Sequence, residues 1–297
     1  MTLTTLERLN GCITALVTPF QHGTIDEDAF AKLVQRQIDG GTHGLVPVGT
    51  TGESPTLTSD EHCRVISMCV EAVAGRVPVI AGAGSNNTAE AVYYAEAAEK
   101  AGADALLCVT GYYNKPSQEG LWLHFKAVHD AVGIPIVLYN IPGRTNVDIQ
   151  PVTMERLSQL DRVVAVKDAT GDLARVAIQR ILCGADFIQL SGEDMTAVGF
   201  NAMGGRGCIS VTANVVPELC AQLQNDCQAG RWAEALEVQD KLAPLHDALF
   251  SDTSPGPVKY ALSRMGLCAA EVRLPVAPVS EMARQKVDRA LEGLKLL

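Results

Sequence analysis

The sequence predicts an α/β protein, a closed (β/α)8 TIM barrel with a C-terminal helical extension. Eight short apolar runs rich in β-branched residues alternate with eight segments of helical period, and strict alternation implies a parallel sheet. No Pro-, Gly- or Ser-rich linker interrupts the series, and 297 residues suffice for one large domain of this kind. An open doubly wound sheet is the competing arrangement. Its dinucleotide fingerprint needs a third glycine, which the Gly82-Ala83-Gly84 turn lacks.

The elements follow in chain order. Cys12 to Thr18 reads as the first strand, closed by Pro19. Asp26 to Asp39 has helical period, opens on three acidic residues and stops at Gly40-Gly41. Gly44 to Val48 is the second strand and enters the small-residue loop Gly49-Thr50-Thr51-Gly52-Glu53-Ser54-Pro55; Ser59-Asp60-Glu61-His62 opens the next helix. Pro78 to Gly82 is the third strand, and the helix begun at Asn87 ends at Gly102. Ala105 to Thr110 is the fourth, followed by Gly111-Tyr112-Tyr113-Asn114-Lys115-Pro116 and a helix from Ser117 to Val132. Ile134 to Tyr139 is the fifth, with a helix from Pro151 to Leu160; Val163 to Asp168 is the sixth, with a helix from Leu173 to Leu182. Phe187 to Leu190 is the seventh, before a short helix ending at Gly204-Gly205; Gly207 to Val211 is the eighth, with a helix from Val216 to Ala229. Three further helical segments, Arg231 to Phe250, Pro255 to Met265 and Pro278 to Leu294, form the extension. The barrel is assigned to residues 1–230 and the helical region, an expected oligomer contact, to 231–297.

Composition narrows the function. Hydrophobic residues are 47% and charged residues 20%, enough apolar mass for a sizeable core. A net charge of −10 without a basic run argues against nucleic-acid binding. Nine cysteines, an odd number with no close C-x-x-C pair, read as core residues of a reducing, cytoplasmic compartment. Met1 to Asn10 carries no signal-peptide pattern, and no run is long enough to cross a bilayer. The six histidines are scattered, so neither a metal nor another cofactor is expected.

The chemistry centres on Val163-Val164-Ala165-Val166-Lys167-Asp168-Ala169-Thr170-Gly171, an apolar strand that ends in a lysine. Alternation puts Val163, Ala165 and Lys167 on one face and Val164, Val166 and Asp168 on the other. Lysines at strand ends ordinarily reach solvent or pair with a carboxylate. One held inside and kept neutral is a nucleophile that forms a Schiff base with a carbonyl compound. Lys32, Lys100, Lys115, Lys126, Lys241, Lys259, Lys286 and Lys295 fall in helix-like or loop contexts; only Lys167 closes an apolar strand.

Barrel enzymes carry their sites at the strand C-termini. Thr50 and Thr51, Tyr112 and Tyr113, Tyr139, Arg144, Lys167 and Gly192 all fall there. Singly each has a plain reading: a turn, a packed ring, a solvated charge. Together, an interior amine, a proton-shuttling phenol, a Gly-rich loop and a carboxylate-gripping arginine suit a 2-oxo acid that becomes an imine.

Six motifs resemble the dihydrodipicolinate synthase family of class I pyruvate-dependent aldolases. They are Gly49-Thr50-Thr51-Gly52-Glu53-Ser54, Tyr112-Tyr113-Asn114-Lys115-Pro116, Leu138-Tyr139-Asn140-Ile141-Pro142-Gly143-Arg144-Thr145, Val166-Lys167-Asp168-Ala169-Thr170-Gly171, Ser191-Gly192-Glu193-Asp194 and Ile209-Ser210-Val211-Thr212-Ala213-Asn214. The likeness runs from about Gly11 to the end, and Arg144 separates the chain from sialic-acid-lyase relatives. The resemblance implies a lyase of lysine (diaminopimelate) biosynthesis that condenses pyruvate with L-aspartate 4-semialdehyde, and a homotetramer built as a dimer of dimers. Lys167 would form the imine. Tyr139 would relay protons with Thr50 and with Tyr113 of a neighbouring subunit. Thr50 and Thr51 would hold the pyruvate carboxylate and Arg144 that of the aldehyde, while the Gly192 and Ile209 backbones would shape the pocket. The resemblance also implies an L-lysine inhibitory site at Asn86, Glu90 and Tyr112, with His62 nearby. Departures from the family pattern are Ser59, where histidine is common, Pro55, where alanine is common, and Gly111, where proline usually precedes the tyrosines. Two other readings share the scaffold: a Schiff-base pyruvate aldolase that cleaves a sugar acid, and a non-catalytic small-molecule sensor.

Overall fold

The computed structural model describes the backbone of residues 5–297 and the side chains from residue 7 onward. Residues 1–4, part of the stretch Met1 to Asn10 read above, lie outside the described residues. Eight parallel strands form the sheet: β1 Gly11–Ala15, β2 Gly44–Val46, β3 Ile80–Gly82, β4 Ala105–Val109, β5 Ile136–Asn140, β6 Val163–Asp168, β7 Ile188–Ser191 and β8 Gly207–Ser210. Their order is β2-β1-β8-β7-β6-β5-β4-β3. A parallel bridge between Leu45 and Val79 joins the two ends, with Leu45 N donating to Pro78 O at 3.0 Å and Gly82 N to Pro47 O at 3.1 Å. The sheet is thereby a barrel, without an exposed edge in need of a partner.

The helices between strands are α1 Glu27–Asp39, α2 Ser59–Val73, α3 Thr88–Ala101, α4 Gln118–Ala131, α5 Pro151–Ser158, α6 Ala174–Cys183, α7 Ala197–Ala202 and α8 Pro217–Gln228. Their starts are chemically marked. Asp26, Asn87 and Ser117 cap α1, α3 and α4 through their side chains, and Thr58 with Glu61 forms a reciprocal capping box on α2. The extension is α9 Trp232–Leu249, α10 Gly256–Arg264 and α11 Glu281–Gly293. One apolar cluster runs from Cys220 of α8 through Leu242, Val258 and Leu291, so the extension packs on the barrel's last helix.

Two apolar layers follow from the strand alternation. Ile13, Val46, Leu107, Val137, Ala165 and Leu190 fill the barrel; Leu45, Leu106, Leu138 and Val166 face Phe30, Ile66 and Phe125 of the surrounding helices. Each of the larger buried side chains (Val, Leu, Ile, Phe) contributes about 2 kcal/mol.

The register corrects one expectation. Ile136 pairs with Val163 but Val137 with Ala165, so a bulge at Val163-Val164 shifts the alternation. Val163 therefore packs in the outer layer and Val164 against the inner one, while Ala165 and Lys167 keep the interior face. The sequence reading also passed over a short hairpin, Phe20–Gln21 with Thr24–Ile25, and a single helical turn at Pro142–Thr145. The Gly82-Ala83-Gly84 turn is explained by close packing. A Cβ on Gly82 would lie 2.4 Å from Val48 O, and one on Gly84 2.4 Å from Val109 N. All nine cysteines are free, and six are buried. No helix among the described residues is long and apolar enough to cross a membrane.

Candidate active site

Lys167 and Tyr139 are register partners on β6 and β5, both pointing into the barrel near its C-terminal mouth. The Lys167 amine lies 4.2 Å from the centroid of the Tyr139 ring. Only 6% of Lys167 is exposed, and among the described residues no carboxylate pairs with it within 4.0 Å. The amine opens into a cavity of about 300 Å³ walled by Thr50, Thr51, Tyr139, Arg144, Gly192 and Glu193. That volume matches a small organic acid and a reacting aldehyde.

The outer faces of the same two strands hold the pair in register. Asn140 and Asp168 follow Tyr139 and Lys167 and, by alternation, point away from the cavity. Asp168 accepts from the Thr170 amide at 2.9 Å and the Thr170 hydroxyl at 2.7 Å, with Arg175 Nε 3.5 Å away. Arg175 also donates to Asp148 at 2.9 Å and to Ile149 O at 2.6 Å, and Asn140 donates to Asp148 at 2.8 Å. This partly buried polar lattice ties β5, β6 and α6 together, with Arg175 Nε the one guanidinium nitrogen in it that finds no hydrogen-bond acceptor.

The loop after β2 presents Thr50 and Thr51. The turn closes by bonds from Gly52 N to Gly49 O at 3.0 Å and from Glu53 N to Thr50 O at 3.1 Å. The Thr18 hydroxyl grips Gly52 O at 2.7 Å. Both threonine hydroxyls are left free to meet a ligand. Gly192 is required by space: a Cβ there would meet Ala169 Cβ at 2.8 Å and Lys167 Cε at 3.1 Å. A side chain at 192 would push the Lys167 side chain aside. Burial and the adjacent Asp194 raise the Glu193 carboxyl above its ordinary range, while the Met195 amide and Lys167 pull it back.

Arg144 sits at the mouth, exposed, in the turn Pro142–Thr145, with its guanidinium fork uncommitted. One expected position differs, and one faces away from its own chain's site. Ile209 is buried in the barrel interior beneath the cavity and does not line it; Val211, Phe250 and Ser254 form that wall instead. Tyr113 stands away from both cavities described here, 91% exposed with a left-handed backbone (φ 71°). Within one chain it does not reach the Lys167 cavity.

A second cavity, about 370 Å³, adjoins the first and shares Thr50, Ile141 and Arg144 with it. His62, Glu90 and Tyr112 line it as expected, joined by Tyr94 and Leu57. His62 stacks on Tyr94 at 4.1 Å and bonds Gly82 O at 2.8 Å; burial lowers its proton affinity. Burial likewise raises the Tyr112 phenol. Ser59 and Asn86 do not line this space. Ser59 Oγ lies 3.2 Å from the Tyr94 hydroxyl, and Asn86 donates to Tyr112 O at 3.2 Å.

Sequence reasoning gave no role to Glu193, Phe250, Ser254 or Tyr94. Glu193 was within reach, since it follows Gly192 in the motif; Phe250 and Ser254 arrive from the helical extension and carried no local signal. The most deeply buried lysine is also not Lys167. Lys259 is 0% exposed and pairs with Glu53.

A family model described as the dihydrodipicolinate synthetase family matches residues 8–294. A protein of Parvibaculum lavamentivorans named 4-hydroxy-tetrahydrodipicolinate synthase is 63% identical over 287 residues, 97% of this chain and 99% of that one. A chloride-inhibited dihydrodipicolinate synthase of Acinetobacter baumannii, solved in complex with pyruvate, superposes with a TM-score of 0.95 at 41% identity, covering 97% of this chain and 100% of its own. The corresponding enzyme of Cyanidioschyzon merolae, solved with lysine bound, gives a TM-score of 0.95 at 35% identity over 98% of this chain and 99% of that one.

Proposed function

The chain belongs to the dihydrodipicolinate synthetase family, and from that membership we infer how its own residues perform the reaction. It is a 4-hydroxy-tetrahydrodipicolinate synthase in activity, a lyase condensing pyruvate with L-aspartate 4-semialdehyde in lysine biosynthesis. The observation that carries the residue assignment is the unpaired amine of Lys167 over the Tyr139 ring, inside a cavity that ends at Arg144.

Lys167 attacks the pyruvate carbonyl and water leaves, giving an imine. Thr50 and Thr51 hold the pyruvate carboxylate with the hydroxyls they leave free. The imine nitrogen draws electrons from the methyl carbon, which loses a proton to the Tyr139 relay and becomes an enamine. The enamine attacks the aldehyde, whose carboxylate Arg144 clamps with a two-pronged fork. The substrate's amine then displaces Lys167 and closes the ring. The assembly is a homotetramer in this reading, which gives exposed Tyr113 a neighbouring subunit's site to enter. The nine free thiols suit the reducing cytoplasm.

The curated relatives at 57–63% identity share one name, so a sugar-acid aldolase or a sensor is not favoured. The protein is expected to consume pyruvate and aspartate semialdehyde together, and to leave pyruvate unchanged when an aldose replaces the semialdehyde. Turnover with the aldose alone would overturn the choice of second substrate.

L-Lysine is the regulator in this reading. The second cavity offers Glu90 to an ammonium group and shares Thr50, Ile141 and Arg144 with the cavity of the reacting amine. Titration with L-lysine is expected to lower activity in proportion to its binding, even though Ser59 and Pro55 depart from the family. Activity that stays flat as L-lysine rises would remove this regulation.

A further inference from the structure

The Glu53–Lys259 pair joins the Thr50–Thr51 loop to the helical extension. Glu53 follows that loop directly, in a left-handed backbone conformation (φ 56°) that non-glycine residues adopt only at some cost. Its carboxylate is buried. One oxygen pairs with Lys259 of α10, and the other accepts the Arg273 amide at 3.0 Å. The Lys259 amine lies 4.0 Å, and the Arg273 guanidinium 4.3 Å, from the centroid of the Phe20 ring. Arg273 continues outward, gripping Thr56 O at 3.0 Å, Gly23 O at 2.8 Å and both oxygens of Glu61 at 2.7 Å. That contact holds the Glu61 carboxyl down at about 2.

A buried ion pair is a poor device for stability alone, because desolvation offsets its attraction. Here it spends a deeply buried lysine and a strained backbone on one loop. Among the described residues it is the ion pair that joins the extension to the end of the Thr50–Thr51 turn. We propose that Glu53 is a positioning residue, fastened by Lys259 and Arg273 so that the Thr50–Thr51 turn stays in the pose that receives the 2-oxo acid carboxylate. The helical extension thereby sets pyruvate affinity at a distance from the reacting amine. The proposal rests on the reading of Thr50 and Thr51 as the carboxylate holders.

The test is the double variant Glu53→Gln with Lys259→Met, which removes both charges together rather than stranding one. Borohydride trapping of the pyruvate imine is followed as a function of pyruvate concentration. The half-saturating concentration is expected to rise about tenfold, equivalent to about 1.4 kcal/mol. Full labelling of Lys167 should still be reached at saturating pyruvate, and the half-saturation for the aldehyde should change less than about threefold. Arg273→Met leaves the ion pair but frees Thr56 and Glu61; it is expected to act in the same direction by about threefold, and it serves where the double variant does not fold. A lower melting temperature with pyruvate half-saturation unchanged would mean that the network only supports the fold, and would overturn the proposal. Absence of any adduct in the unaltered protein would overturn the site reading and this proposal together.

Discussion

Lys167→Ala is expected to lower activity by roughly a thousandfold or more, the scale on which loss of a covalent nucleophile acts. Borohydride added with pyruvate should inactivate the unaltered protein and add to Lys167 the mass of pyruvic acid less one oxygen; the variant should gain nothing. The expectation follows from placement. The amine is buried, faces a cavity of about 300 Å³ and has no carboxylate partner among the described residues. Lys32 borders an open surface cavity but is itself exposed, and Lys259, more deeply buried than Lys167, is held by Glu53. Alanine leaves Thr50, Thr51 and Arg144 in place, so substrate can still bind without being activated. The melting temperature should hold or rise, because the change removes a buried polar group that makes no hydrogen bond to the described residues. Lys167→Arg should fail as completely, since a guanidinium stays protonated and forms no imine. An adduct on any other lysine, or turnover within tenfold of the unaltered protein, would end the assignment.

What could be read from the sequence, and what could not, divides along local and non-local physics. Lys167 was legible because a lysine that closes a β-branched run is a local anomaly. The helix starts were legible because capping is satisfied within three residues, as Asp26, Asn87 and Ser117 show. The bulge at Val163 was hidden: it is a register event between β5 and β6, and a period-two pattern read along one strand cannot register it. The Glu53–Lys259 pair was hidden for the same reason, its members standing 206 positions apart. Lys259 looked like any helical lysine until α10 laid it against the barrel. Ser254 and Phe250 reach the cavity by the same route. Tyr113 is a further case, because its proposed counterpart lies on another copy of the chain.

Tyr139→Phe is expected to lower kcat by about a hundredfold to a thousandfold while leaving the pyruvate half-saturation near its original value. Phenylalanine keeps the ring that the Lys167 amine rests against at 4.2 Å, and the position is buried, so packing and the lysine's pose should persist. Only the hydroxyl is lost, and among the described residues that hydroxyl makes no hydrogen bond, which leaves it available to a bound substrate. A relay serves the steps that move protons, imine formation and removal of the methyl proton, and leaves carboxylate binding to Thr50 and Thr51. The variant should therefore still reach full borohydride labelling of Lys167, only more slowly. In deuterated water the unaltered protein should exchange the methyl hydrogens of pyruvate through the enamine, and the variant should do so more slowly by the factor seen in kcat. Exchange at the original rate with turnover reduced would place the phenol's work after the enamine and overturn its role in forming it. Unchanged turnover would remove Tyr139 from the chemistry altogether.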